Sequence, residues 1–382
     1  MRLAAAVAEL APSLIREMSG RKRATTVDLT LGQPGLRADP ELLEAGLRAL
    51  EAGPDGYTAN AGLPELRERV AKHHGRSQAE EVVVTCGSEQ AVYLALSSLI
   101  EPGDEVLVPD PGYPAYPGIV RVLGGVPVAY PLDLVSGGHP DLDVLQSLGS
   151  RRTRVVVWNA PSNPFGAVPD RIATQRLVDL AEKRGWVVLS DEIYRDLVYE
   201  GDFVSPAEIS ERAVVVSGLS KSMALTGFRI GYLTASAELC GPATRLNQLM
   251  VTCAPRLAQL MALEVFRAPE RLRAHLPFYA RAREALRGVA SKLPEPERLH
   301  LGSGAFYAML DVRPWAAEGS LALALELLEA EDVAVVPGAA FGPGGEGWWR
   351  LSYAAGGDAA AAGLERVARF LHARSREQLM PA

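Results

Sequence analysis

Cysteine, lysine and long apolar runs are all scarce in this chain of 382 residues. The three cysteines, Cys86, Cys240 and Cys253, lie too far apart for a disulfide framework or a metal cluster. None of the six histidines has the spacing of metal ligands either, so no metal is expected. No apolar run approaches the roughly 18 residues that cross a bilayer. Leu3 to Ala8 is too short for the core of a secretion signal, and Glu9 interrupts it. Basic charge is not in excess: 39 lysines and arginines face 46 acids, for a net charge of −7. That balance argues against a nucleic-acid backbone or an anionic membrane as the main partner.

What is present describes an ordinary globular protein, 48% hydrophobic and 22% charged. The length fits about two domains with a large buried core, and a cytoplasmic location is expected. Only five of the basic residues are lysines: Lys22, Lys72, Lys183, Lys221 and Lys292. Arginine supplies most of the positive charge, so a lysine in an unusual setting is a candidate for chemistry that arginine cannot perform.

The opening segment Ala4 to Met18 has loose helical spacing and reads as an arm, and Val27 to Leu31 as a brief strand running into the turn Gly32-Gln33-Pro34-Gly35. From about Glu81 to Leu233, short β-branched runs alternate with helical stretches. Val82–Val84, Glu105–Val108, Val126–Tyr130, Arg154–Val157, Trp186–Leu189 and Ala213–Val216 read as strands. Ser88 to Ile100, Ala115 to Leu123 and Ile172 to Lys183 read as helices. Apolar strands without alternation, joined by helices, predict a mostly parallel α/β sheet covered on both faces. The region after Leu239 reads as helical, then as a smaller α+β domain ending in a helix from Ala359 to Arg374.

In such a sheet, ligands bind beyond the carboxyl ends of the strands. The segments there are Cys86-Gly87-Ser88-Glu89, Pro111-Gly112-Tyr113, Asn159 to Gly166, Asp191 to Tyr194 and Ser217 to Lys221. Gly87 to Ala91 opens a helix straight after a strand, where free N–H groups and the helix dipole favour an anion. Taken alone, Asp191 also fits a helix cap, and Lys221 a solvated loop lysine. An arginine in the apolar strand around Arg350 demands a partner, either a substrate carboxylate or one of the chain's own acids.

The stretch Gly218 to Gly231 resembles the lysine motif of the class I and II aminotransferases, the pyridoxal-phosphate enzymes of fold type I. The other motifs follow in that family's order from Gly32 to Arg350. The resemblance implies a large domain with a mostly parallel mixed sheet between helices and a smaller α+β domain. On this chain it gives residues 1–30 as an arm belonging to the small domain, 31–270 as the cofactor domain and 271–382 as the small domain. It implies that Lys221 holds pyridoxal 5′-phosphate as an internal aldimine and shuttles a proton. Asp191 would face the pyridine nitrogen, and Tyr194 and Asn163 the ring's phenolic oxygen. Tyr113 would stack on the ring, and Ser88, Glu89, Ser220 and Arg229 would belong to the cofactor site. Tyr57 would reach the phosphate of a neighbouring subunit, making a homodimer, while Arg350, Gly32 and Asn163 would bind the substrate carboxylate. The sequence departs from many relatives at Gly218, often a hydroxyl residue; either Ser217 compensates or that bond is missing. Phe165 replaces a usual threonine and is expected to reshape the site wall.

The expected activity is transfer of an amino group from an L-amino acid to a 2-oxo acid; the alternative is a C–S β-lyase of the same fold. Glu89 stands where some aspartate-using relatives place a lysine, which tilts the substrate towards neutral or aromatic amino acids. An aminotransferase-like transcription regulator is not expected, because fewer than 30 residues precede Val27 and the charge does not suit DNA. His73-His74 is expected at the surface, and Gly342-Pro343-Gly344-Gly345 as a flexible turn rather than a phosphate loop.

Overall fold

The computed structural model describes residues 3–10, 12–54 and 56–379. In chain order its strands are β1 (Val27–Asp28), β2 (Val82–Thr85), β3 (Glu105–Asp110), β4 (Val126–Asp133), β5 (His139–Pro140), β6 (Thr153–Asn159) and β7 (Val187–Asp191). There follow β8 (Val214–Gly218), β9 (Gly231–Thr234), β10 (Leu299–Leu301), β11 (Tyr307–Asp311), β12 (Val333–Ala334), β13 (Val336–Pro337) and β14 (Trp348–Ser352). Eight of them form one sheet in the order β2-β9-β8-β7-β6-β3-β4-β5. From β8 to β4 every pair is parallel, whereas β9 runs antiparallel to both its neighbours and β5 is a short antiparallel edge.

The strands read as unbroken apolar runs because both faces are covered. Val155, Val157, Leu189, Val214 and Val216 pack with the helices Ser88–Leu99 and Ala115–Val122 on one face. Val156, Trp158 and Val188 pack with the helices Leu142–Leu148 and Arg171–Arg184 on the other. The helix Arg171–Arg184 starts where its sequence signals it. Asp170 accepts from Ala173 N at 2.7 Å, and Gly185 closes the helix in the left-handed conformation.

A second sheet, β10-β11-β14-β13, packs with the helices Leu276–Val289, Ser320–Glu331 and Gly357–Leu379 around Tyr279, Phe306, Trp349 and Leu364. The arm joins this core: Met18 and Leu29 are buried in it, and β1 pairs with β12. The arm itself is two short helices, Ala5–Ala8 and Leu14–Gly20, not one. One expectation fails. His74, which follows the helix Pro64–His73, is buried, with its ring nitrogens on Tyr232 of β9 and on Arg195. The Gly342–Gly345 segment is a turn, as expected, with Gly344 N donating to Asp110 at 2.9 Å.

Candidate active site

The carboxyl ends of β6 and β7 set the floor of the site. Asn159 pairs with Asp191 in the strand register, and its side-chain amide donates to the Asp191 carbonyl at 3.1 Å. The Asp191 carboxylate accepts from the Tyr116 hydroxyl at 2.7 Å and from Ile193 N at 3.2 Å. Burial drives its pKa up to about 6, further than these bonds and Lys221 pull it down. Asp191 thus ends a strand and caps no helix. Tyr116, on the helix Ala115–Val122, is a site residue that the sequence reading misses. Its signal is in Pro-Gly-Tyr-Pro-Ala-Tyr, whose tyrosines fall at helical i, i+3 spacing and meet edge-on at 5.6 Å.

Lys221 sits in the turn after β8 and donates to the Gly32 carbonyl at 2.8 Å. Burial, and then the positive charges of Arg350 and Arg229, lower its pKa to about 8, with Asp191 opposing them. It is therefore no ordinary solvated lysine. Gly32 meets the site as an acceptor for Lys221, and any Cβ at that position would collide with the Tyr307 hydroxyl.

Gly87 takes φ +88 between β2 and the helix Ser88–Leu99, and a Cβ there would lie 2.5 Å from the Arg229 guanidinium. Arg229, itself left-handed at φ 54, donates to Thr226 O at 3.2 Å and Cys86 O at 3.4 Å. Ser88 and Arg229 therefore flank one helix start, and Ser220, next to Lys221, is buried. Ser217 does not join them. Its hydroxyl donates to Glu192 O at 3.1 Å, since side chains on a strand alternate and Ser217 faces away from the Gly218 side.

Arg350, on β14, is 2% exposed and pairs with no acid among the described residues. It donates to Asn163 Oδ1 at 3.0 Å and to Thr30 O, and its Nε has no partner. The rings of Tyr307 and Phe341 lie 4.3 and 4.8 Å from the guanidinium. Tyr194 reaches the Tyr307 hydroxyl at 2.7 Å. Tyr113 feels Glu89 and Asp191 as negative neighbours and Arg16 as a positive one. Arg16, on the arm helix Leu14–Gly20, also acts on Lys221; nothing in the sequence ties it to a site so distant along the chain. Phe165 packs with Met309 and Trp348 between the two sheets. Tyr57 is 85% exposed and stands apart from these residues.

A half-buried amine lowered to about 8, a buried acid short of a cation, an anion-ready helix start and an arginine without an acidic partner thus face one another. The family profile described as "Aminotransferase class I and II" matches residues 24–370. The aspartate/prephenate aminotransferase of Thermus thermophilus is 36% identical over 365 residues, covering 92% of each chain. A solved aspartate aminotransferase from Thermus thermophilus with maleate superposes with a TM-score of 0.91 at 34% identity, covering 97% of this chain and 100% of that one. An aromatic aminotransferase from Pyrococcus horikoshii gives 0.88 at 28% identity, covering 94% and 99%. By sequence and by fold the chain belongs to the class I and II aminotransferases, pyridoxal-phosphate-dependent transaminases.

Proposed function

We propose that the chain moves the amino group of an L-amino acid to a 2-oxo acid, with pyridoxal 5′-phosphate held on Lys221. The observation that carries this is the half-buried Lys221 amine, lowered to about 8 and set among Asp191, Arg229 and Arg350. The residues present fit the group. Asp191 is a fully buried acid whose cost of ionisation is not met within the chain, and a protonated pyridine nitrogen supplies the missing cation. Gly87 leaves room beside Arg229 for a phosphate at the helix start.

Bound there, pyridoxal 5′-phosphate supplies an electrophilic carbon for the amine and a protonated ring that draws off the electrons left when Cα loses its proton. Asp191 keeps the ring nitrogen protonated, and Tyr194 and Asn163 address the phenolic oxygen. Ser88, Ser220 and Arg229 would hold the phosphate, and Tyr113 would stack on the ring. Arg350 forks onto the substrate α-carboxylate while Asn163 Oδ1 holds its other edge. With the cofactor carried on the substrate amine, Lys221 would act as general base and acid, moving the proton between the substrate Cα and the cofactor's C4′. The relatives named above are aminotransferases, which favours amino exchange over C–S cleavage.

We read residues 1–30 with 271–382 as the smaller unit and 31–270 as the cofactor unit, working as a cytoplasmic homodimer. Tyr57 and Leu249 are 85% and 84% exposed. Asn60 and the helix Ala237–Val251 tie them to one surface: Asn60 donates to Thr252 O, and Asn247 to Asn60 O, each at 2.8 Å. An apolar surface of this kind suits a second copy. Glu89, negative beside Tyr113, supports neutral or aromatic substrates. The test is a panel of amino donors with 2-oxo acid acceptors on protein loaded with pyridoxal 5′-phosphate. The proposal expects amino exchange that requires the acceptor; release of ammonia and pyruvate from cysteine conjugates without any acceptor would overturn it.

A further inference from the structure

Tyr307 touches three of the residues on which the proposed function depends. It lies on β11 and is 2% exposed. On that sheet face it is a diagonal neighbour of Arg350, because Tyr307 pairs with Ser352 and Met309 with Arg350. Its ring lies 4.3 Å from the Arg350 guanidinium, its hydroxyl is 2.7 Å from the Tyr194 hydroxyl, and its bulk is the reason that position 32 is glycine.

Two facing hydroxyls share one proton between them, and the other proton is left for a different acceptor. The Arg350 charge acts on both hydroxyls, but its guanidinium lies over the Tyr307 ring, which favours the Tyr307 O–H as the donor of the two. Tyr194 then accepts from Tyr307, and its own proton is free to point into the site. Resting on the function proposed above, we propose that Tyr307 is a positioning residue. Its ring seats the Arg350 guanidinium, and its hydroxyl donates to Tyr194, so that Tyr194 donates onward to the cofactor's phenolic oxygen. A donor that itself accepts a hydrogen bond is polarised and donates more strongly. Tyr307 thus couples carboxylate recognition to the electronics of the cofactor ring without touching the reacting atoms.

Tyr307→Phe keeps the ring beneath Arg350 and deletes only the hydroxyl. Wild type and variant, loaded with pyridoxal 5′-phosphate, are titrated, and the pH midpoint of the cofactor's visible absorption is read. With a weaker Tyr194 donor, more negative charge stays on the ring oxygen and the neighbouring nitrogen keeps its proton longer. The midpoint should rise by about 0.3–0.5 pH unit. Replacing Tyr307 by 3-fluorotyrosine, which keeps the shape but makes a stronger donor, should move it the other way; this arm survives any failure of the phenylalanine variant to fold. In a Tyr194→Phe background, Tyr307→Phe should add nothing. An unmoved midpoint in both Tyr307 variants, or a shift that persists without the Tyr194 hydroxyl, overturns this inference alone. A wild-type chain that gains no visible absorption on loading overturns the proposed function and this inference with it.

Discussion

The Tyr116 hydroxyl donates to the Asp191 carboxylate at 2.7 Å, and both residues are buried beneath the carboxyl end of β7. One such bond does not repay the burial of a carboxylate, so the folded protein holds this acid at about 6 rather than near 4. The chain alone carries a stability cost at this site, which the proposed cofactor would relieve.

That cost has a pH signature. Between about pH 4 and 6 the folded chain keeps a proton on Asp191 that the unfolded chain has already released, so stability falls as pH rises through this window. Above it, the penalty is constant at about 2–3 kcal/mol. Asp191→Asn removes it while keeping an acceptor for Tyr116. Without added cofactor, the variant should match wild type near pH 4 and melt several degrees higher at pH 7–8. With cofactor it should lose nearly all turnover. Equal melting temperatures at pH 8, or near-normal turnover, would return Asp191 to a structural role.

Lys221 makes the complementary prediction. Its amine is lowered to about 8, whereas an ordinary lysine titrates near 10.4. An amine-directed acylating reagent at limiting concentration should label Lys221 with half-maximal rate at about pH 8, well below the other lysines. Borohydride reduction of the loaded protein should fix the cofactor at Lys221 alone. Peptide mapping that finds it on Lys183 or Lys292 would remove the central assignment.

Much of this is legible in the sequence because parallel strands deliver their last residues to one rim. Asn159, Asp191 and Lys221 each follow an apolar run, and the register that pairs Asn159 with Asp191 does the rest. Three residues are not legible, for a shared reason. Tyr116 reaches the rim from a helix and Tyr307 from the second sheet, and the charge of Arg16 acts on it from the arm; no periodicity encodes how such elements pack against the first sheet. His74 reads as a surface residue because a polar stretch looks solvated until Tyr232 of β9 is known to meet its ring. The position of Ser217 next to Gly218 leaves its role open, yet the strand's period of two already turns it away.

Arg350→Lys should keep the cofactor but lose catalysis. An ammonium cannot reproduce two parallel donors, nor lie flat over Tyr307 as a guanidinium does. A lost charge-assisted contact in a buried site costs about 2–5 kcal/mol, or roughly 30- to several-thousand-fold in kcat/KM. Steady-state kinetics checks this, and a loss under threefold would mean that the carboxylate binds elsewhere.

Tyr57→Phe should instead weaken cofactor retention, since we propose that its hydroxyl reaches the phosphate in a neighbouring subunit. Mixing this variant with Lys221→Ala under subunit exchange should regenerate one intact site per heterodimer, while the other site carries both defects. Activity is measured at a cofactor concentration where the Tyr57→Phe homodimer is mostly unloaded. No gain over either parent would place Tyr57 outside the partner's site.

Charges of opposite sign act on Tyr113: Glu89 on the helix Ser88–Leu99 and Arg16 on the arm. A second carboxylate on the substrate would meet repulsion from the first and attraction from the second, so each charge should govern discrimination in its own direction. Glu89→Gln should raise kcat/KM for aspartate relative to phenylalanine, and Arg16→Ala should lower the same ratio. Each effect should be about 3- to 10-fold, because Arg16 is exposed and solvent screens both charges. The effect of Arg16→Ala should also shrink in 0.5 M salt, as an exposed charge requires. If both variants shift the ratio in the same direction, or neither shifts it, the side-chain pocket lies away from Tyr113 and the tilt towards neutral and aromatic substrates loses its basis.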